Sequence, residues 1–173
     1  HHIEGHIFAP ILSHPEMPLP HVCLTVSGGH TMLVYVKGLC KYEVMGNALD
    51  DAAGEAFDKI AKFLNIGFPG GPAIDRLALQ GSRTAFDLPR PLVRGRSLDF
   101  SFSGLKTCVV NMFRHKAPES IQLPDVAASF QEAVVDVLVS KTLKAAERKG
   151  VAAISVTGGV SSNRRLVEAF REA

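Results

Sequence analysis

The chain is short of cysteine and of net charge, and each shortage removes a class of protein. Cys23, Cys40 and Cys108 are its three cysteines, and none stands in a CxxC pair. A zinc knuckle or a disulfide framework therefore has no support, and reduced thiols in a cytoplasmic setting are expected instead. Lys and Arg number 19 against 17 Asp and Glu, a formal charge of +2. That balance does not announce a nucleic-acid partner, so a polyanion-binding surface would have to be a local cluster. No apolar run reaches the ~18 residues of a membrane span, and no membrane partner is expected. Neither GxxxxGK(S/T) nor GxGxxG occurs, which removes the P-loop and dinucleotide-fingerprint readings. Internal repeats and low-complexity segments are missing too.

What is present suits one packed domain or a piece of a larger one. Hydrophobic residues make up 46% of 173, enough for a core. The chain opens on His1-His2 without Met, already in helical spacing, and stops at Ala173 in helical spacing. Both ends are expected to be cuts through a longer protein.

The periodicities alternate between strand and helix, which predicts an α/β fold. Residues 2–12 have helical spacing, and Pro15, Pro18 and Pro20 then make a loop. Short β-rich runs at 22–26 and 31–36 flank a Gly-Gly pair and predict a tight hairpin, with a further strand at 42–45. Helices are expected over 50–65, 73–79, 105–113 and 124–149, the last opened by Pro124 and stopped by Gly150. Alternation over 98–102 predicts a strand, as does the apolar run 152–156, and Ser161 offers an N-cap to a closing helix. Residues 82–96 read as surface loop.

His2 and His6 stand four residues apart, so a helix sets both imidazoles on one face, close enough to share an ion. Imidazole suits iron or zinc, and a working site needs a third ligand and an open position. Two surface histidines at chance spacing is the alternative. Zinc proteases also carry two histidines and a glutamate on one helix. Here, though, Glu4 lies two residues after His2, about 200° around the helix. It points away from the ion, and the spacing argues against proteolysis.

Three glycine turns follow. Ser27-Gly28-Gly29-His30-Thr31 joins two expected strands; it is either a plain hairpin or a cradle of bare amides for an anion. Thr157-Gly158-Gly159-Val160-Ser161-Ser162-Asn163 passes from strand to helix, a geometry that aims N–H groups at an anion. Pro69-Gly70-Gly71-Pro72 is most simply a helix breaker. Between them, the helix over 50–65 carries Asp51, Glu55, Asp58, Lys59 and Lys62 on its polar side, with Glu55–Lys59 and Asp58–Lys62 at ion-pair spacing. Asp75 is either an acceptor for a sugar or amine, or an early-helix carboxylate favoured by the dipole.

In order along the chain, six segments resemble one family. They are His2-Ile3-Glu4-Gly5-His6, Val26-Ser27-Gly28-Gly29-His30-Thr31, and Asp50-Asp51-Ala52-Ala53-Gly54-Glu55-Ala56-Phe57-Asp58-Lys59. Phe68-Pro69-Gly70-Gly71-Pro72, Phe100-Ser101-Phe102-Ser103-Gly104-Leu105-Lys106-Thr107 and Gly158-Gly159-Val160-Ser161-Ser162-Asn163 complete the set. The family is the TsaD group of tRNA N6-adenosine threonylcarbamoyltransferases, once called O-sialoglycoprotein endopeptidases. The resemblance implies the two-lobed actin-like fold shared with Hsp70 and sugar kinases, present here in part. Residues 1–20 would close the first lobe with the metal-ligand helix. Residues 21–173 would supply the hairpin, a helical region and the nucleotide-binding second lobe.

By the same resemblance, His2 and His6 would be two ligands of one divalent metal ion, iron first and zinc second. A third ligand, an aspartate, would lie beyond Ala173. Thr25, Val26, Ser27, Gly28 and Gly29 would form the substrate-binding hairpin, and Asp58, Gly71, Asp75 and Asn163 would line a pocket for threonylcarbamoyl-AMP or ATP. The implied reaction modifies N6 of the adenosine beside the anticodon in tRNAs reading codons that begin with A. Implied partners are tRNA and other subunits of the modification complex, TsaB- and TsaE-like in a bacterium, in the cytoplasm or alternatively a mitochondrion or plastid. Arg83, Arg90, Arg94, Arg96 and Lys106 are candidate phosphate contacts or plain surface charge. Another actin-like-fold phosphotransferase and a non-catalytic scaffold paralogue are the rival readings. No residue announces itself as a general base.

Overall fold

The computed structural model describes residues 2–115 and 120–173. Four strands form one sheet in the order β3-β2-β1-β4. β1 (His21–Val26), β2 (Thr31–Gly38) and β3 (Lys41–Asn47) make an antiparallel meander, and β4 (Ile154–Thr157) joins β1 in parallel. A parallel neighbour needs a long crossover; here it contains α2 (Ala53–Leu64), α3 (Gly70–Ala78), α4 (Ser103–His115) and α5 (Leu123–Lys149).

Both faces of β1 are covered, which is why all six of its residues are buried. Because side chains alternate across a strand, Val22, Leu24 and Val26 face the main core with Phe57, Ile60 and Phe130 of α2 and α5. Cys23 faces the other side, where α1 (His2–Ser13) lays Ile3 and Ile7 across it and against Val34 and Val36. α6 (Arg164–Glu172) closes the described chain against α5.

Several expected boundaries move, each for a local reason. Asp50 and Asp51 lie outside α2, which starts at Ala53. No side chain of its own caps α2; the Thr31 hydroxyl of β2 accepts from the Ala53 N–H at 2.9 Å. α3 begins at Gly70 rather than Ala73, because the Asp58 carboxylate accepts from the Gly70 N–H at 2.7 Å. The strand expected over 98–102 is not formed: Phe100 makes one isolated bridge, to Ala48. Asn163, not Ser161, caps the last helix, its side chain accepting from the Leu166 N–H at 3.0 Å. Ser161 falls inside a 3-10 turn, Gly159–Ser162.

Candidate functional site

The parallel register sets Thr25 opposite Thr157, so β1 and β4 end level and release their glycine turns side by side. The approach is close. A Cβ on Gly158 would lie 2.3 Å from the Val26 carbonyl oxygen, and its φ of 96° belongs to the region glycine favours. Gly54, in the first turn of α2, meets the other side of the hairpin: a Cβ there would lie 2.5 Å from the Ser27 carbonyl oxygen. Side chains at either position would force the walls apart.

Between these walls lies a cavity of about 380 Å³. Gly28 and Gly54 line one side, with Gly159, Val160, Ser162 and Asn163 on another. Phe57 and Asp58 of α2, then Pro69, Gly71, Pro72 and Asp75, close it. The polar equipment is anchored. Asp58 receives the Gly70 N–H instead of pairing with Lys62, so the expected Asp58–Lys62 pair gives way to a clasp between α2 and α3. Asp75, 8% exposed, receives the Asn163 amide at 3.3 Å and the Arg164 guanidinium at 2.8 Å. The expected Glu55–Lys59 pair is present at 2.9 Å, with Asp51 joining it at 2.5 Å. Backbone amides from glycine turns, the N-terminus of α3 and two fixed carboxylates suit a ligand with an anionic group and hydroxyls.

The structure thus brings Gly28, Asp58, Gly71, Asp75 and Asn163 around one cavity. It does not put the whole hairpin there. Thr25 and Val26 are buried in β1, the Thr25 hydroxyl lying 3.4 Å from that of Thr157. The Ser27 hydroxyl accepts from the His30 N–H at 3.1 Å, and Gly29 opens with His30 onto a smaller cavity of about 140 Å³. Gly54, Phe57, Pro69, Pro72, Gly159, Val160 and Ser162 also line the larger cavity; they stand within or beside the quoted motifs but were not among the expected pocket residues. A glycine inside an otherwise regular helix was the available signal for Gly54.

His2 and His6 occupy α1, on the opposite face of the sheet from α2 and α5. The His2 ring is exposed and meets the His30 ring edge to face at 5.1 Å, so the histidine helix touches the hairpin turn directly. Glu4 accepts from the Tyr42 hydroxyl at 3.0 Å, and that bond holds its carboxyl below the usual carboxylate range. Two accessible imidazoles on one helix face fit two positions of an iron or zinc site. Among the described residues, no group of three His, Cys, Asp or Glu is placed to hold an ion, so an ion on this pair would need a further donor.

The candidate phosphate contacts divide. Arg83 pairs with Glu168 at 3.1 Å, and Arg90 with Asp136 at 2.8 Å. Arg94, Arg96 and Lys106 are exposed.

A mixed sheet whose parallel strands end in glycine turns beside one cavity is the architecture of a piece of an actin-like fold. Solved structures agree on the fold. The chain superposes on the Acidaminococcus fermentans (R)-2-hydroxyglutaryl-CoA dehydratase component A with TM-score 0.61 and 16% identity, covering 98% of this chain and 57% of that one. The activator of the 2-hydroxyisocaproyl-CoA dehydratase from Clostridium difficile, solved with ADPNP, gives 0.54 and 14%, covering 90% and 52%. Within that class, residues 1–173 match the family TsaD: tRNA N6-adenosine threonylcarbamoyltransferase, and the chain belongs to that family. Relatives bearing the same name include one from Acidovorax sp. (strain JS42), 52% identical over 96% of this chain and 48% of its own length. Another, from Clostridium beijerinckii, is 49% identical over 99% of this chain and 51% of its own length. The chain spans about half the length of the curated relatives it matches.

Proposed function

We propose that this chain supplies the nucleotide cavity and two metal ligands of an enzyme that carries a threonylcarbamoyl group from its adenylate to tRNA. The acceptor is N6 of the adenosine beside the anticodon in tRNAs reading codons that begin with A. The observation that carries the reading is the cavity between Gly28, Asp58, Asp75 and Asn163, in a chain of this family. In the transfer, the adenosine amine forms a bond to the carbamoyl carbon and the carbon–oxygen bond to phosphate breaks. AMP leaves, and the amine gives up one proton.

The residues here bind and orient. Glycine-turn amides face the phosphate, Phe57 offers an apolar wall, and Asp58 and Asp75 offer acceptors to sugar hydroxyls. His2 and His6 would hold iron or zinc beside the turn, where such an ion supplies Lewis-acid polarisation of the carbamoyl-phosphate end. The proposed partners are tRNA and, in a bacterium, TsaB- and TsaE-like subunits, in the cytoplasm.

Nucleoside analysis of tRNA incubated with the full-length protein, those subunits and threonylcarbamoyl-adenylate is the test. Threonylcarbamoyladenosine is expected; its failure to form overturns the reading. In the same protein, His2→Ala with His6→Ala is expected to abolish bound metal by elemental analysis. Unchanged metal content removes the ligand assignment alone.

A further inference from the structure

Gln131 does not line the cavity, yet it is buried in α5 at 6% exposure. Its Oε1 accepts from Asn163 Nδ2 at 2.8 Å. The same Nδ2 donates to Asp75 Oδ1 at 3.3 Å, and Arg164 Nε donates to Asp75 Oδ2 at 2.8 Å. The Leu166 N–H, bonded to Asn163 Oδ1 at 3.0 Å, fixes which end of the amide is oxygen. Its nitrogen end therefore faces Gln131 and Asp75, and both of its protons are committed.

This arrangement makes Asn163 a spacer between a buried acceptor and a cavity carboxylate. Without Gln131, one amide proton is left in the core without a partner, and the amide has reason to turn away from Asp75. Asp75 takes one of the donors described on each oxygen, which leaves about two of its roughly four acceptor positions. Asp75 borders the cavity, and two neighbouring hydroxyls on one ligand match two carboxylate oxygens.

We propose that Gln131 is a positioning residue for a ribose diol: acting through Asn163, and with Arg164 at the other end, it holds the Asp75 carboxylate turned to accept from both hydroxyls. The inference rests on the reading that the cavity takes an adenine nucleotide.

The test compares ADP with 2′,3′-dideoxy-ADP by calorimetric titration of the full-length protein. Hydrogen bonds to a charged acceptor make ADP the tighter ligand by about tenfold or more in the natural protein. Gln131→Met keeps the size and loses the acceptor; it is expected to bring the ratio below about threefold while dideoxy-ADP binding is unchanged. Gln131→Glu keeps an acceptor and is expected to hold the ratio near its natural value. Arg164, with its side chain 53% exposed, provides a second variant should Gln131→Met fail to fold, and Arg164→Met is expected to lower the ratio as well. A packing role would weaken both nucleotides alike. An unchanged ratio in the folded Gln131→Met protein, or in Arg164→Met where that one alone folds, overturns the inference and leaves the nucleotide reading standing. A natural protein that binds neither nucleotide overturns both.

Discussion

Asp50 shows how one carboxylate can replace a stretch of regular structure. Its two oxygens accept from the hydroxyls of Ser101 and Ser103, each at 2.6 Å, and from the Phe102 N–H at 2.8 Å. Burial works to raise its pKa, but these bonds outweigh it and the carboxyl ends below the usual aspartate range. Asp50 therefore contributes stability that is present above the unfolded-chain pKa of about 3.9 and is lost as pH falls through the lower folded value. Asp50→Asn is expected to lower the melting temperature at pH 7, with the difference from the natural protein closing towards pH 3. Melting curves across that range check it, and a difference independent of pH would refute the assignment. In the sequence Asp50 read only as the first residue of the helix expected over 50–65, because nothing local shows which distant hydroxyls a carboxylate will meet.

Between elements, the docking of α6 on α5 turns on one half-buried ion pair. Arg165 holds Glu132 through two parallel bonds, Nε to Oε2 at 2.7 Å and Nη2 to Oε1 at 3.0 Å. Glu132 raises the guanidinium pKa further above its already high value. Removing one partner leaves the other short of compensation, so Arg165→Ala is expected to cost about 2–3 kcal/mol in chemical denaturation. The helices themselves were readable. Ala53, Phe57, Ile60, Ala61 and Leu64 share one face by spacing, and all are buried. Residues 98–102 misled for a physical reason: Leu98, Phe100 and Phe102 do alternate into the core, but no strand pairs with them beyond the single bridge to Ala48. Burial alternation reports a face, whereas a strand also needs a ladder. Ser161 misled because a cap is defined by where the helix starts, and the 3-10 turn delays that start to Arg164.

For the molecule as a whole, the cavity draws its walls from residues as far apart as Gly28 and Asn163. A ligand held there binds the folded chain and not the unfolded one. Nucleotide at 100 times its dissociation constant is therefore expected to add about 2.7 kcal/mol to unfolding stability, read as a shift in the urea midpoint. No shift under saturating ADP or ATP would count against the cavity as the binding site. The three glycine turns were visible in the sequence as separate punctuation. All three open onto one space; that the first and last meet there depends on the β1–β4 register, and no local pattern encodes a pairing across more than a hundred residues. The placement of His2 against His30 was hidden because helical spacing fixes a face of α1 but not which turn that face will meet.

That late pairing also has a consequence in time. β4 is the last strand in the described chain, and its partner β1 is nearly the earliest element. During synthesis the hairpin and its turn can form while the ribosome is still adding α5, but the wall made by Gly159, Val160, Ser162 and Asn163 is still missing. Closing so long a loop is slow relative to local folding. A ligand that bridges the first and last glycine turns therefore acts on this late β1–β4 docking, holding the pairing once made rather than guiding the chain towards it.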